Sequence, residues 1–326
     1  MIPMRDGVKL HTVILVPKGS HRAPMLLTRT PYEAKDMTSH GPSAHLAPNL
    51  VGYDNALYTI IEGGYIRVIQ DIRGKYDSEG DYVMARPVAG PQNPTPVDDA
   101  TDTWDTIEWL VHHVPESNGR VGTLGISYDG FEPLMAAYHP HPALKVTVPM
   151  NPMVDGWMGD DWFHYGAYRQ NNVDYFGNQT VARGSGTKLP RQGFDDYDNF
   201  LRAGSLGAWA KAAGLESLPW WRKTTEHPAY DSFWKEQALD RTMAAQPLTV
   251  PTMWIQGIWD QEDMWGAIHS YLAVEPKDTS NTMNYLVMGP WRHSGVNYEG
   301  YSLGPLKWEG DTALQFRRDV LKPFFD

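Results

Sequence analysis

Ser127 stands in a segment whose residue types suit a nucleophilic serine. Residues 122–130 read GTLGISYDG, between an apolar stretch and a predicted helix. Small residues around such a serine permit the strained strand-to-helix turn, the nucleophile elbow, that presents its hydroxyl. Asp129 occupies the place two residues after the serine where this motif usually has glycine, and Gly130 follows it. The context therefore predicts a serine that is transiently acylated, although the motif departs from its usual pattern.

Candidates for the acid and the base follow Ser127 in the chain order serine, acid, histidine, which is typical of folds with a nucleophile elbow. Residues 254–260 (WIQGIWD) predict a strand that ends in Asp260. Residues 285–293 (YLVMGPWRH) predict a second strand, a Gly-Pro turn and then His293. A loop histidine just beyond a strand can lie over the serine. We predict that His293 takes the Ser127 proton, while Asp260 holds the imidazole tautomer and stabilises the imidazolium.

Three other histidines are poorer candidates for the base. His269 lies in a predicted helix, and His139 and His141 flank prolines. We interpret all three as ordinary surface or packing residues.

The elements that must position these residues alternate between β-rich and helical stretches. Such alternation is typical of a largely parallel sheet with helices on both faces. The predicted strands are residues 9–16, 23–29, 65–72, 121–127, 145–149, 251–258 and 283–288. Predicted helices cover residues 100–114 and begin again at 131. We predict an α/β-hydrolase fold with its core in two parts, residues 1–154 and 247–326.

Residues 155–246 differ from both core parts. They are rich in Trp, Tyr, Asn, Asp and Gly, with few β-branched runs and short amphipathic pieces such as residues 195–209. Because this stretch lies between two predicted core strands, we predict an inserted, mainly helical cap. Residues 84–96 carry four prolines and predict a loop.

Composition restricts the partners and cofactors. The net charge of −11 and a pI near 5.5 argue against binding to nucleic acid or to an anionic membrane. The chain has no cysteine, and its 12 histidines show no HExxH or clustered metal spacing. We therefore expect no metal and no cofactor, and a small-molecule substrate.

The sequence gives little information on the compartment. No apolar run approaches the length needed to cross a bilayer, and the N-terminal residues lack the apolar core of a signal peptide. Two alternatives stay open, a cytoplasmic protein or one whose leader was removed.

Several separated motifs agree in order and spacing. They are RTPY at residues 29–32, DIRG at 71–74 with SEG at 78–80, GISYDG at 125–130, DGWMGDDWFH at 155–164 and DQED at 260–263. Together they resemble the α-amino acid ester hydrolases, which belong to a larger group that includes cocaine esterase and the Xaa-Pro dipeptidyl peptidases. The resemblance extends over essentially the whole chain.

The resemblance implies roles for eight residues. It implies the same triad of Ser127, Asp260 and His293. It also implies an oxyanion hole formed by the Tyr128 backbone N–H and the Tyr32 phenol. Finally, it implies a carboxylate cluster that binds the α-ammonium group of the substrate, and this cluster consists of Asp161, Glu262 and Asp263. Spacing from the serine favours Asp161 over its neighbour Asp160.

The resemblance further implies cleavage of α-amino acid esters, with acyl transfer to β-lactam amines of the ampicillin and cephalexin type. Three alternatives remain: an esterase without amino selectivity, like cocaine esterase, an Xaa-Pro dipeptidyl peptidase, and a non-catalytic binding protein. Relatives continue into a C-terminal jelly-roll domain, which we expect to be missing because the sequence ends at Asp326. By resemblance the protein is expected to be periplasmic or secreted, and a homo-oligomer stays an open alternative.

Overall fold

The fold was described from a computed structural model, which covers residues 1–38, 63–169, 173–182, 191 and 193–326. The strands in this part of the chain are β1 (Ile2–Pro3), β2 (Lys9–Leu10), β3 (Thr12–Leu15), β4 (Ala23–Thr30), β5 (Ile66–Asp71), β6 (Ser117–Ser127), β7 (Leu144–Pro152), β8 (Phe163–His164), β9 (Ala167–Tyr168), β10 (Thr252–Trp259), β11 (Asn284–Arg292), β12 (Ser302–Leu303) and β13 (Leu306–Lys307).

One seven-stranded sheet forms the centre of the described structure. Its strand order is β11-β10-β7-β6-β4-β5-β3. All neighbouring pairs are parallel except β3 with β5, which is antiparallel at one edge. The interior strands β4 and β5 are buried almost throughout, as expected for strands covered on both faces.

Helices cover both faces of this sheet because adjacent residues of a strand point to opposite sides. On β4, Met25 and Leu27 belong to one apolar cluster with Ile107, whereas Leu26 belongs to another with Phe316. The helices and 3₁₀ turns around the sheet include Ala34–Met37, Asp99–His113, Tyr128–Tyr138, Gly266–Val274, Glu275–Lys277, Gly295–Asn297, Thr312–Phe316 and Lys322–Phe325, with a π-helical turn at Arg317–Leu321. This layered arrangement is the predicted α/β-hydrolase fold.

Residues 155–246 contribute short helices and one small hairpin, β8 with β9. The described helices here are Val173–Thr180, Asp196–Ala203, Leu206–Ala212, Leu215–Ser217, Pro219–Glu226, Ser232–Gln237 and Leu239–Ala245. Tryptophans from this segment, including Trp162, Trp220 and Trp234, pack with Phe131 and Met153 of the sheet domain. The division of the chain into two core parts and a cap stays a prediction.

One local prediction is wrong. The predicted turn at Gly289 and Pro290 is part of β11, which continues to Arg292. Pro290 is tolerated because β11 is the last strand of the sheet, where a missing backbone N–H breaks no essential pairing.

Candidate active site

Ser127 ends β6 and directly precedes the helix Tyr128–Tyr138. Its backbone is in the left-handed region, with φ of 63° and ψ of −123°. A side chain at Gly125 would place its Cβ 2.0 Å from the Asp129 carbonyl oxygen, and one at Gly130 would lie 2.6 Å from the Met150 carbonyl oxygen. Gly125 and Gly130 are therefore required because the backbone of another segment approaches each of them closely. Asp129 departs from the usual motif, but Gly130, one residue later, provides a position without a side chain. Strain of this kind is characteristic of functional turns.

Tyr128 occupies the first position of that helix, where backbone N–H groups lack helical acceptors. Its side chain is buried, and its hydroxyl accepts a hydrogen bond from the Ala85 N–H at 2.7 Å. Its hydroxyl is therefore engaged elsewhere, and a role of its backbone N–H in an oxyanion hole stays a prediction.

Tyr32 lies just beyond the end of β4, at the same edge of the sheet as Ser127. Its hydroxyl is hydrogen-bonded to the Tyr175 hydroxyl, and Gln179 Nε2 donates to it at 3.3 Å. The Tyr175 and Gln179 side chains come from residues 155–246, in which the sequence carried no signal for them.

Asp260 and His293 follow β10 and β11 and form a buried pair. His293 Nδ1 lies 2.7 Å from Asp260 Oδ2, which also accepts a hydrogen bond from Asn151 Nδ2 at 2.5 Å. The other carboxylate oxygen, Asp260 Oδ1, accepts the backbone N–H groups of Glu262 at 2.7 Å and Asp263 at 3.2 Å. Both oxygens are thus fixed, as required of a carboxylate that orients an imidazole.

Asn151 was missed by the sequence reasoning, which ended the predicted strand at residue 149. It belongs to β7, and its polar side chain lies at the edge of the sheet that carries Ser127. A polar residue near the carboxyl end of a parallel strand was the available signal.

The second imidazole nitrogen of His293 faces an acid. His293 Nε2 lies 3.1 Å from Glu262 Oε2. Within the described residues the Ser127 hydroxyl has no hydrogen-bond partner, so the expected Ser127–His293 hydrogen bond is not formed in this state. Such bonds are often absent before substrate binds.

Three carboxylates of the predicted cluster meet beside this pair. Asp161 and Asp263 are fully buried, while Glu262 is partly exposed. Within the described residues neither Asp263 oxygen has a hydrogen-bond partner. Burial and then the charges of Asp161, Asp160, Asp260 and Glu262 raise the pKa of Asp263 well above its ordinary value.

The neighbouring Asp160 has a different environment from Asp161. Its Oδ2 accepts the backbone N–H groups of Val154 and Asp155 at 3.0 and 2.9 Å. Its Oδ1 accepts those of Trp265 and Gly266 at 2.9 and 3.0 Å. Asp160 therefore ties together two backbone segments, and its oxygens are not directed at a ligand.

The charges around His293 act in opposite directions. Burial lowers the pKa of His293, but the hydrogen bond to Asp260 and the charges of Asp260, Glu262 and Asp161 outweigh it. The net effect is a pKa above the ordinary value. A protonated His293 is thus stabilised by the surrounding acids.

The three histidines that were judged poorer candidates for the base make contacts away from Ser127. His141 Nε2 lies 2.8 Å from Glu108 Oε2, His269 Nδ1 lies 3.0 Å from the Trp265 carbonyl oxygen, and the His139 ring packs on Tyr138. In the described part of the chain, no set of three His, Cys, Asp or Glu side chains is arranged to hold a metal ion, and no helix is long and apolar enough to span a membrane.

The parallel sheet, the serine at a strained strand-to-helix junction and the later acid–histidine pair define the class, an α/β-hydrolase. Comparison with known proteins identifies the family within this class. The family model of the X-Pro dipeptidyl-peptidases, the S15 family, matches residues 6–295. Because this match spans most of the chain, the chain belongs to the S15 family.

Two solved structures share this fold closely. A selenomethionine-labelled α-amino acid ester hydrolase is 66% identical with a TM-score of 0.96, covering 100% of this chain and 53% of that one. An aminopeptidase from the marine sediment archaeon Thaumarchaeota archaeon is 50% identical with a TM-score of 0.95, covering 100% of this chain and 53% of that one.

A more distant relative is the cocaine esterase of Rhodococcus sp. (strain MB1 Bresler). It is 28% identical over 312 residues, which cover 91% of this chain and 48% of the relative. The chain thus spans about half the length of these relatives.

Proposed function

We propose that this chain hydrolyses esters of α-amino acids through an aminoacyl-enzyme formed on Ser127. The observation that carries the proposal is the buried Asp263, which lies among other acids with both of its oxygens unpartnered within the described residues. Buried carboxylates without donors are costly, and a cation that binds among them offsets that cost. The α-ammonium group of an amino acid ester supplies such a cation beside the nucleophile. The similarity to an α-amino acid ester hydrolase supports this substrate class.

Acylation proceeds by attack of Ser127 Oγ on the ester carbonyl carbon while His293 Nε2 accepts the hydroxyl proton. The resulting oxyanion accepts hydrogen bonds from the Tyr128 N–H and the Tyr32 hydroxyl. Loss of one such donor commonly costs about 3–4 kcal/mol of transition-state stabilisation. His293 then gives its proton to the leaving alkoxide, and the alcohol departs from the acylated serine.

Deacylation repeats these steps with water as the nucleophile. His293 takes a proton from water, the hydroxide attacks the acyl carbon, and Ser127 leaves as it recovers the proton. If an amine such as a β-lactam nucleus replaces water, the product is an amide instead of an acid. Acyl transfer to β-lactam amines is therefore part of the proposal.

Asp161→Asn tests the ammonium site. We expect kcat/KM for phenylglycine methyl ester to fall roughly 10- to 100-fold, mainly through KM, because a charged hydrogen bond worth about 1.5–3 kcal/mol is lost. Hydrolysis of phenylacetate methyl ester, which lacks the amino group, should not fall. Equal losses on both esters would contradict ammonium binding and would favour an esterase without amino selectivity.

A peptidase is the second candidate. The similarity to an archaeal aminopeptidase and membership of the S15 family favour it. The same ammonium site would then hold a peptide N-terminus, with His293 protonating an amine leaving group. Parallel assays of alanine methyl ester, alanine p-nitroanilide and Ala-Pro p-nitroanilide separate the activities, and a much higher kcat/KM on either anilide would assign the chain to the peptidases.

A further inference from the structure

The contact between Glu262 and His293 involves the nitrogen that catalysis needs. Nδ1 of His293 is committed to Asp260 Oδ2 at 2.7 Å, so only Nε2 is left to accept the Ser127 proton. That nitrogen instead lies 3.1 Å from Glu262 Oε2. Ser127 Oγ is buried and has no hydrogen-bond partner within the described residues. In this state Nε2 therefore lies at ion-pair distance from an acid and makes no hydrogen bond to Ser127 within the described residues.

We propose that Glu262 is a clamp on His293 that the substrate ammonium group releases. Without substrate, Glu262 forms an ion pair with the imidazolium and withholds Nε2 from Ser127. When an α-ammonium group binds, Glu262 turns to it, and His293 Nε2 releases its proton to solvent water and becomes the base for Ser127. The inference rests on the proposed ammonium site and adds that the site regulates the base.

The charges that face His293 allow the ammonium charge to replace the imidazolium charge. Asp260, Glu262 and Asp161 are the acids that favour its protonated form, and Asp263 lies in the same cluster. Two arginines lie near the cluster. Arg292 donates from Nη1 to the His293 carbonyl oxygen at 2.9 Å and not to the ring. The buried Arg169 donates to the Asp161 carbonyl oxygen at 2.9 Å and to Gln261 Oε1 at 2.7 Å, and not to a carboxylate of the cluster. On the other side of Glu262, His164 Nε2 lies 3.3 Å from the Glu262 carbonyl oxygen. An arriving ammonium supplies one positive charge to the cluster, so the imidazolium can release one without leaving the acids uncompensated.

Glu262 is the member of the cluster that can move. Its backbone N–H is fixed to Asp260 Oδ1 at 2.7 Å, but its side chain is 22% exposed and has one more rotatable bond than an aspartate. Asp161 and Asp263 are fully buried and shorter. The side chain of Glu262 can therefore turn from His293 to a ligand while the loop stays in place.

Glu262→Ala with a des-amino substrate tests the clamp directly. We expect kcat/KM for phenylacetate methyl ester near neutral pH to rise about five- to tenfold, because loss of the acid lowers the pKa of His293 and leaves more of the imidazole neutral. For phenylglycine methyl ester kcat/KM should fall. Glu226→Ala, which removes an exposed acid at the end of the helix Pro219–Glu226, is the matched control and should change neither rate. An unchanged or lower rate on the des-amino ester would overturn the clamp.

Methylammonium tests the same idea on the unaltered chain. Added methylammonium chloride should accelerate release of phenylacetate from its methyl ester several-fold over sodium chloride at equal ionic strength. The acceleration should disappear in Glu262→Ala. Inhibition or no effect in the unaltered chain would overturn the release mechanism.

An NMR titration of the His293 imidazole separates this inference from the proposed function. The His293 pKa should fall in Glu262→Ala and should also fall in the unaltered chain on addition of methylammonium. If the unaltered chain shows no preference for phenylglycine methyl ester over phenylacetate methyl ester while Glu262→Ala lowers the His293 pKa, the proposed substrate class fails and the contact stands. If the preference is lost in Asp161→Asn but the His293 pKa is the same in Glu262→Ala, the substrate class stands and the clamp fails.

Discussion

Asn151 extends the acid–histidine pair into a three-residue chain. Its amide donates to the Asp260 oxygen that also receives His293 Nδ1, so both donors converge on one atom. Its backbone has a φ of 38°, which non-glycine residues rarely adopt. A strained residue retained at this point indicates that its side chain has a positioning role.

Two replacements of Asn151 distinguish the effect of its side-chain donor from the effect of its backbone strain. We expect Asn151→Gly and Asn151→Ala to lower kcat/KM about tenfold or more, since the hydrogen bond to a charged carboxylate is worth about 1.5–3 kcal/mol. Without that donor the Asp260 carboxylate attracts protons more strongly, so the His293 pKa rises further. The acidic limb of the pH–kcat/KM profile should therefore move to higher pH in both variants. Full activity in Asn151→Gly would mean that the amide is not needed.

At the scale of elements, the junction of β6 with the helix Tyr128–Tyr138 depends on backbone contact. The helix continues through Glu132 and Pro133 without interruption. Gly125 lies against the first turn of the helix, and Gly130 lies against β7. These approaches fix where Ser127 lies relative to the sheet.

Gly125→Ala should disrupt this junction, because its Cβ would lie 2.0 Å from the Asp129 carbonyl oxygen. We expect loss of esterase activity together with a lower free energy of unfolding, measured by urea titration. The matched control is Gly207→Ala in the helix Leu206–Ala212, where the nearest atom to a new Cβ is Ser205 Oγ at 4.0 Å. That control should raise the free energy of unfolding by about 0.5–1 kcal/mol. Equal effects of the two substitutions would disprove the steric argument.

At the scale of the whole molecule, a buried ion network joins segments that are distant in sequence. Arg29, near the end of β4, lies 2.5 Å from Glu132 and 3.3 Å from Asp99. Asp102 lies 2.6 Å from Arg73, which also reaches Asp6 near the N-terminus at 2.7 Å. Burial and then the charges of Asp99 and Asp102, opposed by Arg29, give Glu132 a pKa well above its ordinary value. The network thus holds the helix after Ser127 to the sheet and to the chain start.

Arg29→Met should be strongly destabilising, because it leaves buried acids without their shared cation. We expect the free energy of unfolding to fall by about 3–5 kcal/mol at pH 7. Arg318→Met, which breaks an exposed pair with Asp319, should have almost no effect. In this variant the acids have lost the cation that favours their charged form, so they are protonated at higher pH. The loss of unfolding free energy in Arg29→Met should therefore shrink as the pH falls. A deficit independent of pH would indicate lost packing and not lost charge.

The sequence by itself determined the fold class and the order of the principal residues. Ser127, Asp260 and His293 each end or follow a strand whose apolar run was readable. Because the carboxyl ends of parallel strands lie at one edge of a sheet, their proximity follows from that pattern. The strand bounds were less well predicted: β6 begins four residues earlier than expected, and β11 includes the residues read as a turn.

Only the tertiary structure decided how neighbouring acids differ. Asp160 and Asp161 are adjacent, yet Asp160 accepts four backbone N–H groups, two of them from Trp265 and Gly266. Likewise the contact of Glu262 with His293 and the donor from Asn151 join residues that lie 31 and 109 positions apart. Side-chain direction in a loop depends on hydrogen bonds to distant segments, which local periodicity does not encode. The sequence therefore specified the principal residues, whereas the folded chain brought Asn151 to Asp260 and decided which atom each side chain faces.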